Sequence, residues 1–247
     1  MKLQGKVAIV TGGGRGIGRA SALAMAKEGA AVVVSARTRS EIDEVAREVT
    51  DLGSRAFAID ADLSRESEVT RVINESVEAF GKVDILVNNA GIGMTFCNVV
   101  DIKPEDWDRM LQINLTGPFL CCRAVLPLMI KQRSGKIINI SSLGGQIGIA
   151  GNSSYGASKA GLINFSQCLA AEVKQYGIDV NAVCPSGTDT RLLHEIGRAE
   201  GRTNLMTPEE IAAVVLFLAL PESSAVTGTA IGAYGLSNPL FGPLMNK

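Results

Sequence analysis

Residues 6–20 read K-V-A-I-V-T-G-G-G-R-G-I-G-R-A, so an apolar run, Val7–Val10, leads directly into a glycine-rich turn and a helix-like segment. A strand that enters a helix through such a turn brings free backbone N–H groups and the positive end of the helix dipole together, and this arrangement binds phosphate. Gly12, Gly16 and Gly18 follow the pattern T-G-x-x-x-G-x-G, with one more residue in the turn than the usual dinucleotide fingerprint. Glycines also form ordinary tight turns, so this stretch alone is compatible with a nucleotide site or a plain turn.

Short β-branched runs alternate with longer helical patterns along the whole chain. The predicted strands are Val7–Thr11, Ala31–Ser35, Arg55–Ile59, Asp84–Asn88, Gly135–Ser141, Asp179–Cys184 and Thr229–Ala233. The predicted helices are Ile17–Glu28, Glu41–Leu52, Ser64–Phe80, Pro104–Arg133, Tyr155–Gln175 and Pro208–Leu220. Apolar strands that alternate with helices are typical of a parallel sheet covered on both faces. We therefore expect an α/β fold, a doubly wound parallel sheet of about seven strands, in a single domain over residues 1–247.

The composition argues against several classes of protein. Of the 247 residues 46% are hydrophobic and 20% charged, and the net charge is −1 without a basic block, so no nucleic-acid-binding face is expected. The five cysteines are odd in number and form no C-x-x-C pair, which argues against a disulfide scaffold and against bound metal. The glycine turn interrupts the first apolar run, and no stretch reaches transmembrane length. We expect a soluble cytoplasmic protein that does not associate with membranes.

A second group of residues indicates proton transfer to or from a carbonyl or alcohol oxygen. Tyr155 and Lys159 lie four residues apart, so on a helix their side chains share one face. A neighbouring ammonium favours the ionised phenol, so we expect Lys159 to lower the pKa of Tyr155 and to make it a general acid/base. Ser142, thirteen residues before Tyr155, can hold the substrate oxygen, and Ser141 is its rival. The alternative is an ordinary surface pair on an amphipathic helix.

Together these motifs resemble the short-chain dehydrogenase/reductase family over nearly the whole chain. The matching segments are T-G-G-G-R-G-I-G at Thr11–Gly18, N-N-A-G at Asn88–Gly91, Asn114, Ser142 and Y-x-x-x-K at Tyr155–Lys159, in the order and spacing of the family. The resemblance implies a nicotinamide-dependent oxidoreductase with a Rossmann-like sheet. It also implies that Tyr155 exchanges the proton, that Lys159 contacts the nicotinamide ribose, and that Ser142 holds the substrate oxygen.

Asn114 completes the predicted catalytic set. It lies in a helical pattern just before two helix breakers, Gly117 and Pro118. The resemblance implies that Asn114 holds a water molecule linking Lys159 to solvent, and the alternative is a polar residue that satisfies a frayed backbone. The predicted catalytic residues are Asn114, Ser142, Tyr155 and Lys159.

The end of the second strand indicates which dinucleotide is bound. Enzymes that use NAD usually place an acidic residue there to accept hydrogen bonds from the adenosine ribose. This chain has Ala36 at that position, followed by Arg37, and Arg15 lies in the glycine turn. A guanidinium matches a 2′-phosphate in bidentate fashion, so we predict that NADP(H) is preferred over NAD(H). The alternative is that Arg37 and Arg39 are ordinary surface charges.

Other segments complete the predicted cofactor site by resemblance. Asp62-Leu63 matches the adenine contact of the family, although Asp62 could also be a plain helix cap. N-N-A-G lines the cofactor pocket, with an ordinary turn as the alternative. After the sixth strand, Pro185 is followed by Ser186 in place of the usual glycine. The predicted cofactor-binding residues are Gly12, Arg15, Gly16, Ile17, Gly18, Arg37, Asp62, Leu63, Asn89, Ala90, Gly91, Tyr155, Lys159, Pro185, Thr188 and Thr190.

Substrate choice is expected to depend on a short lid near residues 188–206 and on the C-terminal tail. The single histidine, His194, lies in this lid and is expected to be a surface or packing residue. We predict an NADP(H)-dependent oxidoreductase that interconverts a ketone and a secondary alcohol, and the sequence most resembles 3-oxoacyl-(acyl-carrier-protein) reductases, which act on thioesters. The alternatives are a sugar, polyol or small-ketone dehydrogenase using NAD(P), and a non-catalytic regulator that senses a dinucleotide. The resemblance further implies a homotetramer whose only other partner is a small carbonyl or alcohol substrate.

Overall fold

The structure, a computed structural model, describes residues 1–237 and contains seven parallel strands in one sheet. They are β1 (Val7–Thr11), β2 (Ala31–Ala36), β3 (Ala56–Asp60), β4 (Ile85–Asn88), β5 (Gly135–Ile140), β6 (Ile178–Pro185) and β7 (Ala230–Ala233). Their order is β3-β2-β1-β4-β5-β6-β7. The chain therefore reverses its direction of travel across the sheet between β1 and β4, and ligands bind at such a point in open α/β sheets.

Helices cover both faces of this sheet. They are α1 (Gly16–Lys27), α2 (Arg39–Asp51), α3 (Glu66–Phe80), α4 (Pro104–Leu111), α5 (Gly117–Gln132), α6 (Ser153–Val173), α7 (Arg191–Glu195) and α8 (Pro208–Ala219). Side chains that alternate along each strand enter two separate cores. Val10 and Val34 pack with α1, α2 and α8, whereas Ile9 and Val33 pack with α3, α5 and α6. The predicted doubly wound parallel sheet is confirmed.

The boundaries of the strands agree with the predicted ones to within one residue at each end, because the sheet is built from the apolar runs themselves. The start of α8 is also as the sequence indicates. The side chain of Thr207 accepts from the backbone N–H of Glu210 at 3.2 Å, and the Glu210 carboxylate accepts from the Thr207 N–H at 2.7 Å. This reciprocal pair is a capping box, with Pro208 in the first helical position.

The predicted helix over Pro104–Arg133 is wrong in one respect, because it is interrupted. The segment Gln112–Thr116 forms a π-helical turn between α4 and α5, and Asn114 lies within it. Pro118 then follows as the second residue of α5. Single π-helical turns are rare and occur frequently at functional sites.

The expectation that no stretch reaches transmembrane length is also wrong. The continuous helical segment Pro104–Gln132 is long and apolar enough to cross a membrane by length and composition. Of its most apolar window 44% is buried inside the chain, and a core helix of a soluble protein can pass the same test of length and composition. The segment packs beside β4 and β5 through Leu120, Val125 and Met129, so its apolar character has a structural explanation.

Candidate active site

A cavity of about 580 Å³ lies along the carboxyl ends of the central strands. The cavity is lined by the predicted catalytic residues Ser142, Tyr155 and Lys159 and by fifteen of the sixteen predicted cofactor-binding residues, the exception being Gly18. Asn114, the fourth predicted catalytic residue, does not line it either. The sheet therefore brings together residues that are more than 100 positions apart in the sequence.

The glycine turn between β1 and α1 has the form that a phosphate site requires. Gly12 and Gly16 have φ angles of +60° and +52°, in the left-handed region that residues with a Cβ avoid. No side chain caps the N-terminus of α1, and no acidic residue lies in its first turn. The N–H groups of this turn thus face a cavity beside the positive end of a helix dipole, which fits the diphosphate of a dinucleotide.

Gly18 has a packing role, and the cofactor contact predicted for it stays a prediction. A Cβ at this position would lie 2.2 Å from the carbonyl oxygen of Gly12 and 2.5 Å from Nδ2 of Asn89. Gly18 therefore lets α1 pack directly against the glycine turn and the loop after β4. The sequence pattern found the residue, but only the packing shows which atoms need it to be glycine.

Gly18→Ala is expected to lower the free energy of unfolding by about 1–3 kcal/mol, the usual cost of overpacking. Glycine to alanine within a helix ordinarily stabilises by up to about 1 kcal/mol, so the sign is opposite to the helix propensity. Urea unfolding would measure this change. Gly148→Ala is the control, because a Cβ there would meet no atom within 4 Å. Equal or greater stability of Gly18→Ala would contradict the packing role.

Thr11 and Asn89 join the ends of β1 and β4. The Thr11 hydroxyl accepts from the backbone N–H groups of Asn89 and Ala90 at 3.0 and 3.1 Å, and the Asn89 side chain donates to the carbonyls of Thr11 and Gly12 at 3.0 Å. The N-N-A-G segment is therefore more than an ordinary turn. Thr11 was not among the predicted site residues, because the need for a hydroxyl here arises only from the neighbouring strand.

Asn88 extends the same network into the core. Its side chain donates to Oδ1 of Asn139 on β5 at 2.8 Å, and Asn139 donates to the hydroxyl of Ser166 on α6 at 2.8 Å. These buried amides tie β4, β5 and α6 together below the cavity. They fix the strand that carries Ser142 relative to the helix that carries Tyr155.

Ser142, Tyr155 and Lys159 lie at the junction of β5 and α6. Lys159 is 5% exposed, and its Nζ donates to the carbonyl of Ile140 at 2.9 Å and lies 5.8 Å from the centroid of the Tyr155 ring. Ser142 follows the end of β5, and its hydroxyl accepts from the N–H of Gly144 at 3.1 Å. Tyr155 and Lys159 are thus a site pair and not a surface pair.

Ser141 is a structural residue. Its hydroxyl donates to the backbone carbonyl of Lys159 at 2.8 Å, and the residue is 4% exposed. The hydrogen bond holds α6 against the end of β5. Ser142 is therefore the serine whose hydroxyl is available at the cavity, as the spacing to Tyr155 predicts.

The electrostatics of Tyr155 differ from the sequence-based expectation. Burial raises the pKa of Tyr155, whereas the hydrogen bond with Ser142 and the charge of Arg198 act in the opposite direction. Burial also lowers the pKa of Lys159 to about 8. The predicted lowering of the Tyr155 pKa by Lys159 is therefore wrong, because the low dielectric that surrounds both groups penalises the charged form of each.

Asn114 is fully buried in the π-helical turn and is saturated with protein partners. Its side-chain oxygen accepts from the N–H of Ile92 at 2.8 Å, and its Nδ2 donates to the carbonyl of Ile92 at 3.0 Å. Nδ2 also lies 3.3 Å from the hydroxyl of Ser158. The side chain thus positions the loop after β4, and the water link to Lys159 implied by the family remains a prediction.

Asp62 lies at the end of the cavity beyond β3. Its carboxylate accepts from the N–H and the hydroxyl of Ser64 at 3.1 and 2.7 Å. These hydrogen bonds lower the pKa of Asp62, and the charge of Arg37 acts in the same direction. Asp62 is not the cap of α3, which begins at Glu66. An ionised Asp62 beside Leu63 remains available to an adenine amine.

The segment after β6 returns to the glycine turn. The Thr190 side chain caps α7 by accepting from the N–H of Leu193. Thr190 also packs close to the glycine turn, because a Cβ added to Gly16 would lie 3.2 Å from Cγ2 of Thr190. Thr188 is 5% exposed, and its hydroxyl donates to the carbonyl of Ser186 at 3.2 Å. The backbone groups of residues 187–189 pair with Met206, so the two ends of the lid are held together.

Arg15 and Arg37, the two arginines of the predicted 2′-phosphate site beside β2, differ in their acidic partners. Arg15 lies 3.9 Å from Glu41 and 3.7 Å from Glu195. Arg37 forms no ion pair with any residue of the described part, 1–237. Arg39 is different, since it pairs with Asp43 and Asp60 outside the cavity. The sequence-based prediction missed Glu41, whose carboxylate enters the cavity but also pairs with Arg191 at 3.3 Å.

The lid carries residues that the motifs did not identify. Arg198 and Arg202 line the cavity near Tyr155, together with Asn152 and Phe96. His194 pairs with Asp189 at 2.7 Å on the surface, where both side chains are about 60% exposed, so it is a surface residue as expected. The C-terminal tail that was expected to influence the substrate lies, over residues 238–247, outside the described part.

A doubly wound sheet with a phosphate-binding turn and a serine–tyrosine–lysine trio in one cavity defines an oxidoreductase that works with a dinucleotide. Residues 6–201 match the short chain dehydrogenase family. The chain is 38% identical over 243 residues to a 3-oxoacyl-(acyl-carrier-protein) reductase of Thermotoga maritima, covering 95% of this chain and 98% of that protein. The protein therefore belongs to the short-chain dehydrogenase family, and it is an oxidoreductase of ketones and alcohols.

Two solved structures show the same architecture. A xylitol dehydrogenase with bound NAD⁺ matches with a TM-score of 0.89 and 31% identity, and the match covers 95% of this chain and 100% of the xylitol dehydrogenase chain. An actinorhodin polyketide ketoreductase with NADPH matches with a TM-score of 0.88 and 32% identity, covering 94% and 97%. The two proteins are named for different substrates and hold different dinucleotides, so the fold alone decides neither.

Proposed function

We propose that this protein is an NADP(H)-dependent reductase of a ketone, with Tyr155 as the general acid. The observation that carries the proposal is the position of Ser142, Tyr155 and Lys159 in the same cavity that begins at the glycine turn. A bound nicotinamide dinucleotide would supply the hydride. The turn holds the phosphates at one end, and residues 188–206 serve as the lid of this single catalytic domain.

The chemistry of the trio follows from its surroundings. Tyr155 donates its proton to the carbonyl oxygen as that oxygen becomes an alkoxide, and the raised pKa keeps the phenol protonated at neutral pH. Ser142 donates a hydrogen bond to the same oxygen and stabilises its developing charge. Lys159 would contact the ribose of a bound nicotinamide dinucleotide and supplies positive charge beside the Tyr155 ring, while Asn114 keeps the loop after β4 in place.

The preference for NADP(H) rests on Arg37. Its guanidinium lines the cavity next to Ala36 and makes no ion pair in the described residues, although the charge of Arg37 acts on the Asp62 carboxylate. An added 2′-phosphate would give Arg37 the partner that it lacks. The NADPH-bound ketoreductase supports this choice, and the NAD⁺-bound xylitol dehydrogenase supports the alternative.

Arg37→Ala is expected to raise the KM for NADPH by about 10- to 100-fold, as for the loss of one charge-assisted hydrogen-bond pair, and to leave the KM for NADH nearly unchanged. Steady-state kinetics with each dinucleotide would measure both values. Arg39→Ala is the matched control, because that guanidinium is already paired with Asp43 and Asp60. If Arg37→Ala weakened both dinucleotides equally, a role in reading the 2′-phosphate would be excluded.

For the substrate we propose a 3-oxoacyl thioester, in line with the similarity to the Thermotoga reductase. A sugar or polyol is the second candidate, which the structural likeness to xylitol dehydrogenase favours. Loss of NADPH absorbance on addition of a 3-oxoacyl thioester, a diketone and a ketose would distinguish them. Turnover of the thioester alone supports the first candidate, and turnover of the ketose alone supports the second.

A regulator that senses a dinucleotide without catalysis needs no proton donor. The complete trio of Ser142, Tyr155 and Lys159 therefore argues against this alternative. Tight NADPH binding without turnover of any ketone, and without oxidation of any alcohol by NADP, would favour it.

We also propose a cytoplasmic homotetramer. The outer surface of α5 and α6 supports a subunit interface there, because Phe119 is 40% exposed and packs edge-to-face on Phe165 with ring centroids 6.2 Å apart. Phe165 is half-buried, so Phe119 is the exposed member of this aromatic pair, and a second subunit would cover it. Light scattering would give the mass of the assembly.

A further inference from the structure

Arg198 enters the substrate end of the cavity in a fixed orientation. Its Nη2 donates to Oδ1 of Asn152 at 2.8 Å, and its guanidinium carbon lies 3.8 Å from the centroid of the Phe96 ring. Its Nε is buried and has no hydrogen-bond partner. A buried N–H of a charged group without a partner is costly, and a ligand acceptor would remove that cost.

Arg202 brings a second positive charge to the same place. A Cβ added to Gly187 would lie 2.7 Å from Nη1 of Arg202. The Arg202 guanidinium therefore packs against the backbone just after β6. Neither Arg198 nor Arg202 forms an ion pair with a carboxylate of residues 1–237. The other cationic lid residue of the cavity, Arg191, differs because it pairs with Glu41 and Glu195. Two neighbouring guanidinium groups without a counter-charge attract an anion.

The reacting groups are close to these arginines. Asn152, which holds Arg198, directly precedes α6 and is 3% exposed. A Cβ on Gly144 would lie 3.0 Å from Nδ2 of Asn152, 3.6 Å from the hydroxyl of Ser142 and 3.6 Å from Cε1 of Tyr155. Gly144 is thus surrounded by Asn152, Ser142 and Tyr155. An anionic group at Arg198 would belong to the same molecule as a carbonyl at Tyr155.

We propose that Arg198 and Arg202 form a binding site for an anionic group of the substrate, a carboxylate or a phosphate a few bonds away from the reacting carbonyl. This assignment rests on the proposed ketone reductase function, and it favours oxo acids and phosphorylated ketones over the 3-oxoacyl thioester proposed above, whose thioester group is neutral. Asn152 is the positioning residue, since its Oδ1 accepts from Nη2 of Arg198 and orients the guanidinium. A guanidinium accepts either anion through parallel hydrogen bonds, so the two sources share one chemistry.

The test compares charged and neutral forms of the same ketone. Acetoacetate is paired with methyl acetoacetate, and dihydroxyacetone phosphate with dihydroxyacetone, in NADPH oxidation by the whole enzyme. The variants are Arg198→Met and Arg202→Met, which keep an aliphatic side chain and lose the charge. Arg55→Met is the matched control, because Arg55 also lies over an aromatic ring, that of Phe80 at 4.9 Å, but outside the cavity.

Wild type is expected to favour one charged ketone over its neutral partner, and the pair that shows the preference identifies carboxylate or phosphate. Arg198→Met should raise the KM of that charged ketone by about 10- to 100-fold and leave kcat and KM of the neutral ketone unchanged. Arg55→Met should leave kcat and KM of both ketones unchanged. Equal constants for charged and neutral ketones in wild type would overturn the proposal. So would a loss in Arg198→Met that is the same for both forms, since this would show a structural role only.

A binding measurement separates this proposal from the proposed function. Titration calorimetry with 3-hydroxybutyrate and with glycerol 3-phosphate, each in the presence of NADP, needs no turnover. Binding of either anion that is lost in Arg198→Met supports the site even if no ketone is reduced, in which case only the proposed function fails. Absence of binding by both anions, together with reduction of neutral ketones, overturns the anion site and leaves the reductase function intact.

Discussion

Tyr155→Phe is expected to reduce kcat by about 10²- to 10⁴-fold, the usual contribution of a positioned general acid, and to leave the fold and the binding of NADPH unchanged. The substitution removes one oxygen from a side chain that lines the cavity. No packing is lost, because the ring remains. The substitution removes only the proton donor for the substrate oxygen. A water molecule is not held at a defined position there and cannot take over as the donor.

Single-turnover kinetics with saturating NADPH and a reducible ketone would measure this loss, and fluorescence titration would confirm that NADPH still binds. Tyr176→Phe is the matched control, since Tyr176 packs near Arg133 at the far end of α6. Undiminished turnover in Tyr155→Phe would remove the acid from the proposed mechanism and would make Ser142 or a water molecule the proton donor.

Lys159→Met is expected to lose catalysis and to gain stability at neutral pH. The pKa of Lys159 is about 8 in the folded protein and 10.5 for the ordinary side chain. Below pH 8 both states carry the proton, and the folded state bears the full penalty of a buried charge, about 3 kcal/mol. The variant removes that penalty and loses the hydrogen bond to the Ile140 carbonyl, which is worth about 1–2 kcal/mol. A net gain of about 1–2 kcal/mol at pH 7 follows.

The sign of this effect changes with pH. Between pH 8 and 10.5 the unfolded chain binds more protons at Lys159 than the folded protein does, so the stability of wild type rises with pH. Above that window both states are neutral and the penalty has disappeared. The variant should then be less stable than wild type by the lost hydrogen bond.

Urea unfolding of both proteins at pH 7 and at pH 10.5 would show whether the difference in unfolding free energy reverses. Lys174→Met, at an exposed lysine just after α6, is the control and should show no such reversal. A pH-independent difference for Lys159→Met would mean that Lys159 titrates normally and that burial does not control its charge. The activity loss would still stand, because it depends on the ammonium beside the Tyr155 ring.

Local patterns were sufficient to predict the frame of the molecule. The strands agree with the prediction because each is a run of β-branched and apolar residues, and burial on both faces of a parallel sheet requires such runs. The glycine turn and the spacing of Ser142, Tyr155 and Lys159 identify the site for a similar reason. Each motif needs particular residue types at fixed short distances along the chain, and these distances are visible in the sequence.

The less predictable features depend on neighbours that are distant in sequence. Asn114 lies in a π-helical turn, which no propensity indicates, and Thr11 matters because Asn89 meets it across the sheet. Gly18 admits the carbonyl of Gly12, a close approach that only the folded chain creates. Helical periodicity over Pro104–Arg133 could not show the interruption, since the segment stays helical throughout.

The amino-acid sequence by itself determined the order of strands and helices along the chain, the glycine-rich turn and the positions of the predicted catalytic trio, because these depend on residue type and on short spacings. The tertiary structure alone decided the direction of the Tyr155 pKa shift and the meeting of Arg198 and Arg202 with the site. The pKa shift and the position of the two arginines both depend on the folded chain, because folding decides how much water and which charges surround each group. Dielectric environment and charge pairing are properties of the packed molecule, and short-range sequence patterns do not encode them.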